Sequence, residues 1–536
     1  MKSIRLYLSY FFRYPLSSPG LFLLTLMLLL VGTMLQIPVP LLMKKIIDDV
    51  IPAKNLLLLA KLGAVISVII VLRELTNYFQ RVNYQRLKNK IYSKIVEELL
   101  GYYFNLSYEE IKRKDPGYFY SRIFEEPREL EESLTETASY TFKLFLIFVF
   151  GLTACFKLSV VLTLFVLFSA PFLQFINAYF NRKITAVTGE FQESQAEFRE
   201  YSIELIRSYK IVNLYGLFSQ ALQEMNTRIS SVLKMRSNKA KLVSTYSFFY
   251  TIFSDSIPFF VFIFGIVEVI RGQISIGGLV AFLELVRYIT VPVESFSQIQ
   301  VEISEAIAHI RRFEEIKSKP GLGKGKRVDE VRKISLLDVC VEFDDFKLGP
   351  VKCEFEKGKK YILTGENGSG KSTLVEVITG FLRHSGRVII NDHLSIEEVD
   401  KKGYFSRFAA SFFPPILLPC LESNLKNIKD ERVMSFVEKE VLKGRRGLKV
   451  SQLSAGERQK LNVALALSQK DVDFYILDEP FSNVDNSSKI ALLSYIKDLP
   501  ENKGVIIITP DIDGLANQLE DFETIKLKGG VLSCTP

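Results

Sequence analysis

The sequence predicts an all-α membrane domain of six spanning helices followed by an α/β domain built on a parallel sheet. Three observations carry that expectation. Hydrophobic residues make up 48% of the 536 residues and charged residues 24%, an ordinary globular balance, yet mean hydropathy is +0.18 and the apolar residues are clustered rather than evenly spread. Residues 21–43 and 158–180 carry no charge and are long enough to cross about 30 Å of hydrocarbon as helices. Beyond Ile334 the pattern changes to short apolar runs, at 361–363, 474–477 and 505–508, alternating with helical stretches, as in a parallel α/β sheet.

Four weaker apolar segments bring the spans to six: 56–79, 134–156, 242–270 and 274–299, each with at least one ionisable residue. Short links at 44–55, 157 and 271–275 alternate with long polar excursions at 80–133 and 181–241 that read as helical. Arg81, Arg86, Lys88, Lys90 and Lys94 in the first excursion, and Arg182, Lys183, Arg228, Lys234 and Arg236 in the second, predict that both are cytoplasmic. An even number of spans then puts both termini there too. The first apolar run is too long for a signal peptide and reads as a retained span. A Lys, Gly and Pro segment at 317–327 reads as a linker. The expected division is 1–316 for the membrane domain, 317–333 for the linker and 334–536 for the α/β domain.

The formal charge of +8, from 68 Lys and Arg against 60 Asp and Glu, is small for this length. No basic run with interleaved aromatics accompanies it, so no nucleic-acid partner is expected. The five cysteines form no CxxC pair and no cluster with the three histidines; they read as reduced and structural, with no metal among them.

Chemistry concentrates in the second half. Gly365, Asn367, Gly368, Ser369, Gly370, Lys371, Ser372 and Thr373 follow an apolar strand and open a helix, which is a P-loop in its required context. Its glycines let backbone N–H groups approach phosphates, Lys371 reaches the β and γ oxygens, and Ser372 ligates Mg2+. Downstream, the apolar run 474–477 ends in Asp478 and Glu479. Asp478 is placed to hold Mg2+ through water, and Glu479 to orient or deprotonate an attacking water.

Between these motifs stands Leu453-Ser454-Ala455-Gly456-Glu457-Arg458-Gln459. It resembles the signature motif of ATP-binding-cassette (ABC) ATPases, and the whole chain resembles a half-transporter of the ABC exporter type, six spans followed by one cassette. The resemblance implies ATP and Mg2+ as ligands, Glu479 as the catalytic base, and Ser454, Gly456 and Glu457 as contacts to nucleotide on an opposing cassette. It implies a D-loop at 482–485 that includes Asp485. Phe343 lies where the family places an adenine-stacking aromatic, or is a buried strand residue. Asp115 to Arg122 resembles the region near the first coupling helix, and 270–277 the turn into the sixth span. The implied partner is a second half-transporter chain, in a homodimer or a heterodimer, within membrane lipid.

The sequence departs from the family in two places. No glutamine lies between Ser372 and Gln452, and Arg407 is read in the place of the family's mid-cassette glutamine, although arginine cannot ligate Mg2+. Pro510 stands where the family uses a histidine, and no histidine follows Glu479. With a short helical subdomain as well, the cassette reads as trimmed, with ATP binding kept and hydrolysis weakened. Glu284, Arg287 and Glu294 share one helical face of the sixth span and read either as a polar stripe along a translocation path or as a structural Glu284–Arg287 pair with an interfacial Glu294. The stripe suits an amphipathic substrate such as a peptide, a lipid-like molecule or a drug. The expected function is ATP-driven export; the alternative is a non-transporting membrane ATP sensor or regulatory subunit.

Overall fold

Backbone polar groups inside a bilayer find no water, so an apolar run must satisfy them within itself as helix. The computed structural model describes residues 2–319, 321–323, 325–343, 346–445, 447–510 and 521–534, with the side chains of 2–4, 297, 343, 533 and 534 outside that description. Six helical segments among the described residues are long and apolar enough to span: Pro19–Ala53, Leu56–Tyr103, Pro116–Leu158, Val160–Arg207, Phe218–Ile270 and Ile276–Ser318. The polar excursions are mostly continuations of these helices, interrupted by the short helices Tyr108–Lys112 and Tyr209–Leu214. Leu56–Tyr103 has 48 residues, about 72 Å at 1.5 Å per residue, more than twice the hydrocarbon thickness.

The chain divides into two compact units, Met1–Leu100 with Tyr120–Glu315, and Gly101–Phe119 with Ile316–Pro536. In the first, small residues permit close helix approach: a Cβ on Gly151 in the third span would fall 2.4 Å from Tyr288 Cβ in the sixth. Its core includes Cys155, Leu162, Val166, Val261, Phe282, Leu285 and Ile289, all buried.

The second unit contains two sheets. An antiparallel one in the order β2-β1-β4-β5 is formed by β1 (Lys333–Phe343), β2 (Phe346–Glu356), β4 (Ser385–Ile390) and β5 (Leu394–Ser395). The other runs β10-β9-β3-β8-β7-β6, with β3 (Lys360–Thr364), β6 (Phe408–Ser411), β7 (Phe474–Asp478), β8 (Gly504–Thr509), β9 (Glu523–Lys528) and β10 (Val531–Cys534). Pairs β3/β8, β3/β9, β7/β8 and β6/β7 are parallel. β7 and β8 are buried along their full length, which is why they read as unbroken apolar runs. Thr364 pairs with Thr509, and Asp478 with Ile508. The carboxyl ends of β3, β7 and β8 therefore share one edge, where open α/β sheets bind ligands.

Candidate nucleotide site

At that edge β3 gives way to a loop and then to the helix Lys371–Ile378. Gly370 is the helix N-cap, with φ +98° and no side-chain cap, so the first-turn N–H groups keep their capacity for an anion. Its conformation and crowding both require glycine, because a Cβ would meet Leu348 and Phe346 at 2.9 Å. Lys371 is buried, and its Nζ donates to the Gly365 carbonyl at 2.7 Å and the Glu366 carbonyl at 2.9 Å. Burial lowers its pKa, opposed by the charges of Glu479 and Asp478. Ser369 Oγ is buried without a hydrogen-bond partner among the described residues, a donor that a phosphate oxygen would satisfy.

β7 delivers the two carboxylates. Burial, then the neighbouring Glu479 charge, pushes Asp478 up from its usual 3.8 to about 6, against the Phe413 N–H and Lys371. A divalent cation would reverse that cost, and the Ser372 hydroxyl with the Asp478 carboxylate is a hard oxygen set suited to Mg2+. Glu479 has φ +42°, a left-handed conformation that is uncommon for a non-glycine residue. Its N–H donates to the Ile508 carbonyl at 2.9 Å, its carbonyl accepts from Gln459 Nε2 at 2.9 Å, and its Oε2 accepts from Ser482 Oγ at 2.7 Å. The signature helix and β8 thus hold the backbone that aims Glu479. A cavity of about 540 Å³ gathers Asn367, Gly368, Gly370, Lys371, Ser372, Thr373, Asp478 and Glu479.

Ser454, Gly456, Glu457 and Asp485 do not line this cavity. Ser454 caps the helix Ala455–Leu467: its Oγ accepts from Glu457 N at 3.1 Å while Glu457 Oε2 accepts from Ser454 N at 2.9 Å, a reciprocal capping box. Burial would raise the Glu457 pKa, but the Ser454 N–H and Arg445, at 2.5 Å, outweigh it and hold the carboxylate below its usual range. Asp485 accepts from Ser488 N at 3.1 Å and pairs with buried Lys460. The Lys460 hydrogen bond is the main cause of its strongly lowered pKa. Gly456 packs on the D-loop, where a Cβ would fall 2.4 Å from the Asn483 carbonyl.

The structure corrects the placement of Arg407. It precedes β6, and its carbonyl accepts the N–H groups of Asp473 and Phe474. β6 runs parallel to β7, pairing Phe408 with Phe474 and Ser411 with Leu477. Arg407 is therefore at the strand end remote from the carboxylates, and it cannot occupy the glutamine's place. The residues leaving the correct end are Phe412 and Phe413, and Phe413 lines the cavity. Pro510 follows β8 at the nucleotide edge, and 511–520 lie outside the described residues. Phe343 ends β1, but its side chain lies outside the described residues, whereas Phe346, its antiparallel partner, lines the cavity. Lys112 lines it too. Sequence reading missed Phe346, Phe413 and Lys112; a hairpin pairing and strand counting held the signal for the first two, and nothing local marked the third.

In the sixth span Glu284 and Arg287 are exposed, and no ion pair joins them among the described residues. Glu294 is half-buried and accepts from Ser254 Oγ of the fifth span at 3.0 Å. The three do not form a closed cluster.

Comparison with known proteins decides the family. The pattern of the ABC transporter transmembrane region matches residues 22–293, half of the chain, and the ABC transporter pattern matches 348–482. The chain belongs to the ABC transporter family. As an ABC transporter it is a multi-pass integral membrane protein with an ATP-binding domain. It is 24% identical over 457 residues to the ATP-dependent permease MDL1 of Candida albicans, covering 79% of this chain and 65% of that protein. It is 21% identical over 459 residues to ABC transporter B family member 1 of Dictyostelium discoideum, covering 81% and 49%. With the ATP-dependent lipid A-core flippase of Coxiella burnetii it shares 23% over 498 residues, 87% of this chain and 83% of the relative. The ABC transporter thus spans less than two thirds of the length of the first two relatives.

Proposed function

We propose that this chain is an ABC half-transporter that couples ATP binding and hydrolysis to export of an amphipathic substrate, with a membrane domain at 1–316 and a nucleotide-binding domain at 334–536. The observation that carries the reading is the single cavity that gathers Lys371, Ser372, Asp478 and Glu479, in a chain whose described residues include six helices long and apolar enough to span. The relatives are an ATP-dependent permease and an ATP-dependent flippase by name. Lys371 and the P-loop N–H groups bind the phosphates. Ser372 and Asp478 would hold Mg2+, whose charge would offset that of the phosphates. Glu479, fixed by Gln459, Ile508 and Ser482, orients a water for attack on the γ-phosphate. With Phe413 and Pro510 where the family places glutamine and histidine, fewer side chains hold that phosphate. Loss of one well-placed donor costs about 10²- to 10³-fold in rate, so turnover at this chain's own site is slow.

Ser454, Gly456 and Glu457 are away from their own P-loop, as a head-to-tail pair of cassettes requires. The exposed apolar side chains Ile206, Tyr209, Ile211, Leu214, Tyr215 and Phe218 around the short helix Tyr209–Leu214 support burial against a second chain. The basic residues of the long excursions support cytoplasmic placement of both termini and of the cassette. An amphipathic substrate, peptide, lipid-like or drug, suits two cavities of the membrane unit. One of about 430 Å³ has polar lining that includes Glu136, Lys143 and Glu302; the other, of about 490 Å³, is lined by Phe11, Phe22, Phe142 and Phe145. They share Thr137 and Ser139. Glu284 and Arg287 line neither cavity; as exposed charge on the sixth span they are part of the polar stripe proposed for the path. The test is ATP turnover by the purified full chain in lipid, compared with Lys371→Ala and Glu479→Gln.

A further inference from the structure

Lys112 ends the short helix Tyr108–Lys112, which belongs to the same compact unit as the cassette. Several contacts seat that helix. Lys112 Nζ lies 3.1 Å from Glu376 Oε2, the Arg383 N–H donates to Glu109 Oε1 at 2.8 Å, and the Tyr108 and Phe381 rings are 5.4 Å apart. Lys112 is at the same time part of the lining of the P-loop cavity. Glu376 follows Thr373 by three residues and Ser372 by four in one helix, so these side chains share a face. That face flanks the turn whose N–H groups cradle α- and β-phosphates, whereas Lys371 reaches the β and γ oxygens.

Resting on the reading of this cavity as the ATP site, we infer that Lys112 is a nucleotide contact supplied by the loop between the second and third spans, which meets the α-phosphate and ribose end of ATP and ADP alike. Lys112 Nζ donates to both Glu376 carboxylate oxygens, at 3.1 and 3.4 Å, so a phosphate or ribose oxygen would share the ammonium with that carboxylate. The helix that leads into the third span then touches the nucleotide itself. The side chain is 48% exposed, so water screens the contact and the effect is modest, about 2- to 5-fold in affinity.

The test is calorimetric binding of Mg-ATP and Mg-ADP to the full chain in lipid, with Lys112→Ala, Lys112→Arg, Glu376→Gln and Lys371→Ala. Lys112→Ala weakens both nucleotides equally, by about 2- to 5-fold, Arg restores binding, and the difference shrinks as salt rises. Glu376→Gln tightens binding by relieving the competing carboxylate. A helix that merely docks through this pair would give Lys112→Ala and Glu376→Gln effects of the same sign, which overturns the inference. So does parental affinity in Lys112→Ala while Lys371→Ala loses binding, a result that leaves the ATP site standing. Weakening of ATP but not ADP overturns the α-end placement. Failure of the unsubstituted chain to bind either nucleotide overturns both readings.

Discussion

Replacing Asp478 by Asn should stabilise the nucleotide-free protein while removing the carboxylate proposed to hold Mg2+. Burial and the adjacent Glu479 push the Asp478 carboxyl from its usual 3.8 to about 6. The folded state therefore favours the protonated form, and stability from this group is full below 3.8 and lost as pH rises through about 6. Roughly two units at about 1.4 kcal/mol each give a cost of about 3 kcal/mol once the carboxylate is charged. Asn carries no charge and can still accept from the Phe413 N–H. For a domain of about 150–250 residues, 1 kcal/mol corresponds to about 2–4 °C, so the cassette transition should rise by about 6–12 °C at pH 8. Scanning calorimetry of the full chain without Mg2+ or nucleotide, at pH 8, 6.5 and 5, measures this directly. The advantage of Asn must shrink toward pH 5. An Asn variant less stable than the parent at pH 8, or a difference independent of pH, would refute the argument that the site is paid for in charge burial.

Two further substitutions test the signature region. Gly456→Ala puts a Cβ 2.4 Å from the Asn483 carbonyl and should cost about 1–3 kcal/mol in thermal denaturation, since the opposing atom is backbone; parental stability would mean that the D-loop moves aside freely. Glu457→Ala breaks the reciprocal cap and should cost about 0.5–2 kcal/mol, with Glu457→Gln losing less because it keeps an acceptor for the Ser454 N–H. The Glu457 pKa is lowered on folding, so its contribution is present above the usual 4.5 and fades as pH falls through the lowered value. A pH-independent difference between Glu457→Ala and the parent would count against the charged cap.

The features most legible in the sequence are those set by local pattern. Uncharged runs announce spans because lipid leaves the backbone no alternative, and the P-loop announces itself because its glycines are required by φ and by crowding at Gly370. The two carboxylates are readable from the end of a buried strand. Arg407 failed for a reason of register. Its segment had the right neighbours in sequence, but only strand pairing shows that it enters β6 rather than leaves it, and that the exit residues are Phe412 and Phe413. Phe346 reaches the cavity because the β1–β2 hairpin folds back, and Lys112 because a segment more than 200 residues upstream of the cassette belongs to the same unit. Neither placement has a local signal. The sixth-span residues show a limit of helical periodicity: it puts Glu284, Arg287 and Glu294 on one face, but not into one cluster.

The most direct measurement is ATP turnover by the chain purified alone in lipid, with its assembled mass recorded and Lys371→Ala and Glu479→Gln beside it. The account predicts ATP binding that Lys371→Ala abolishes, and slow turnover that falls to background in both variants. Turnover unchanged by Glu479→Gln, or ATP binding unchanged by Lys371→Ala, would contradict it.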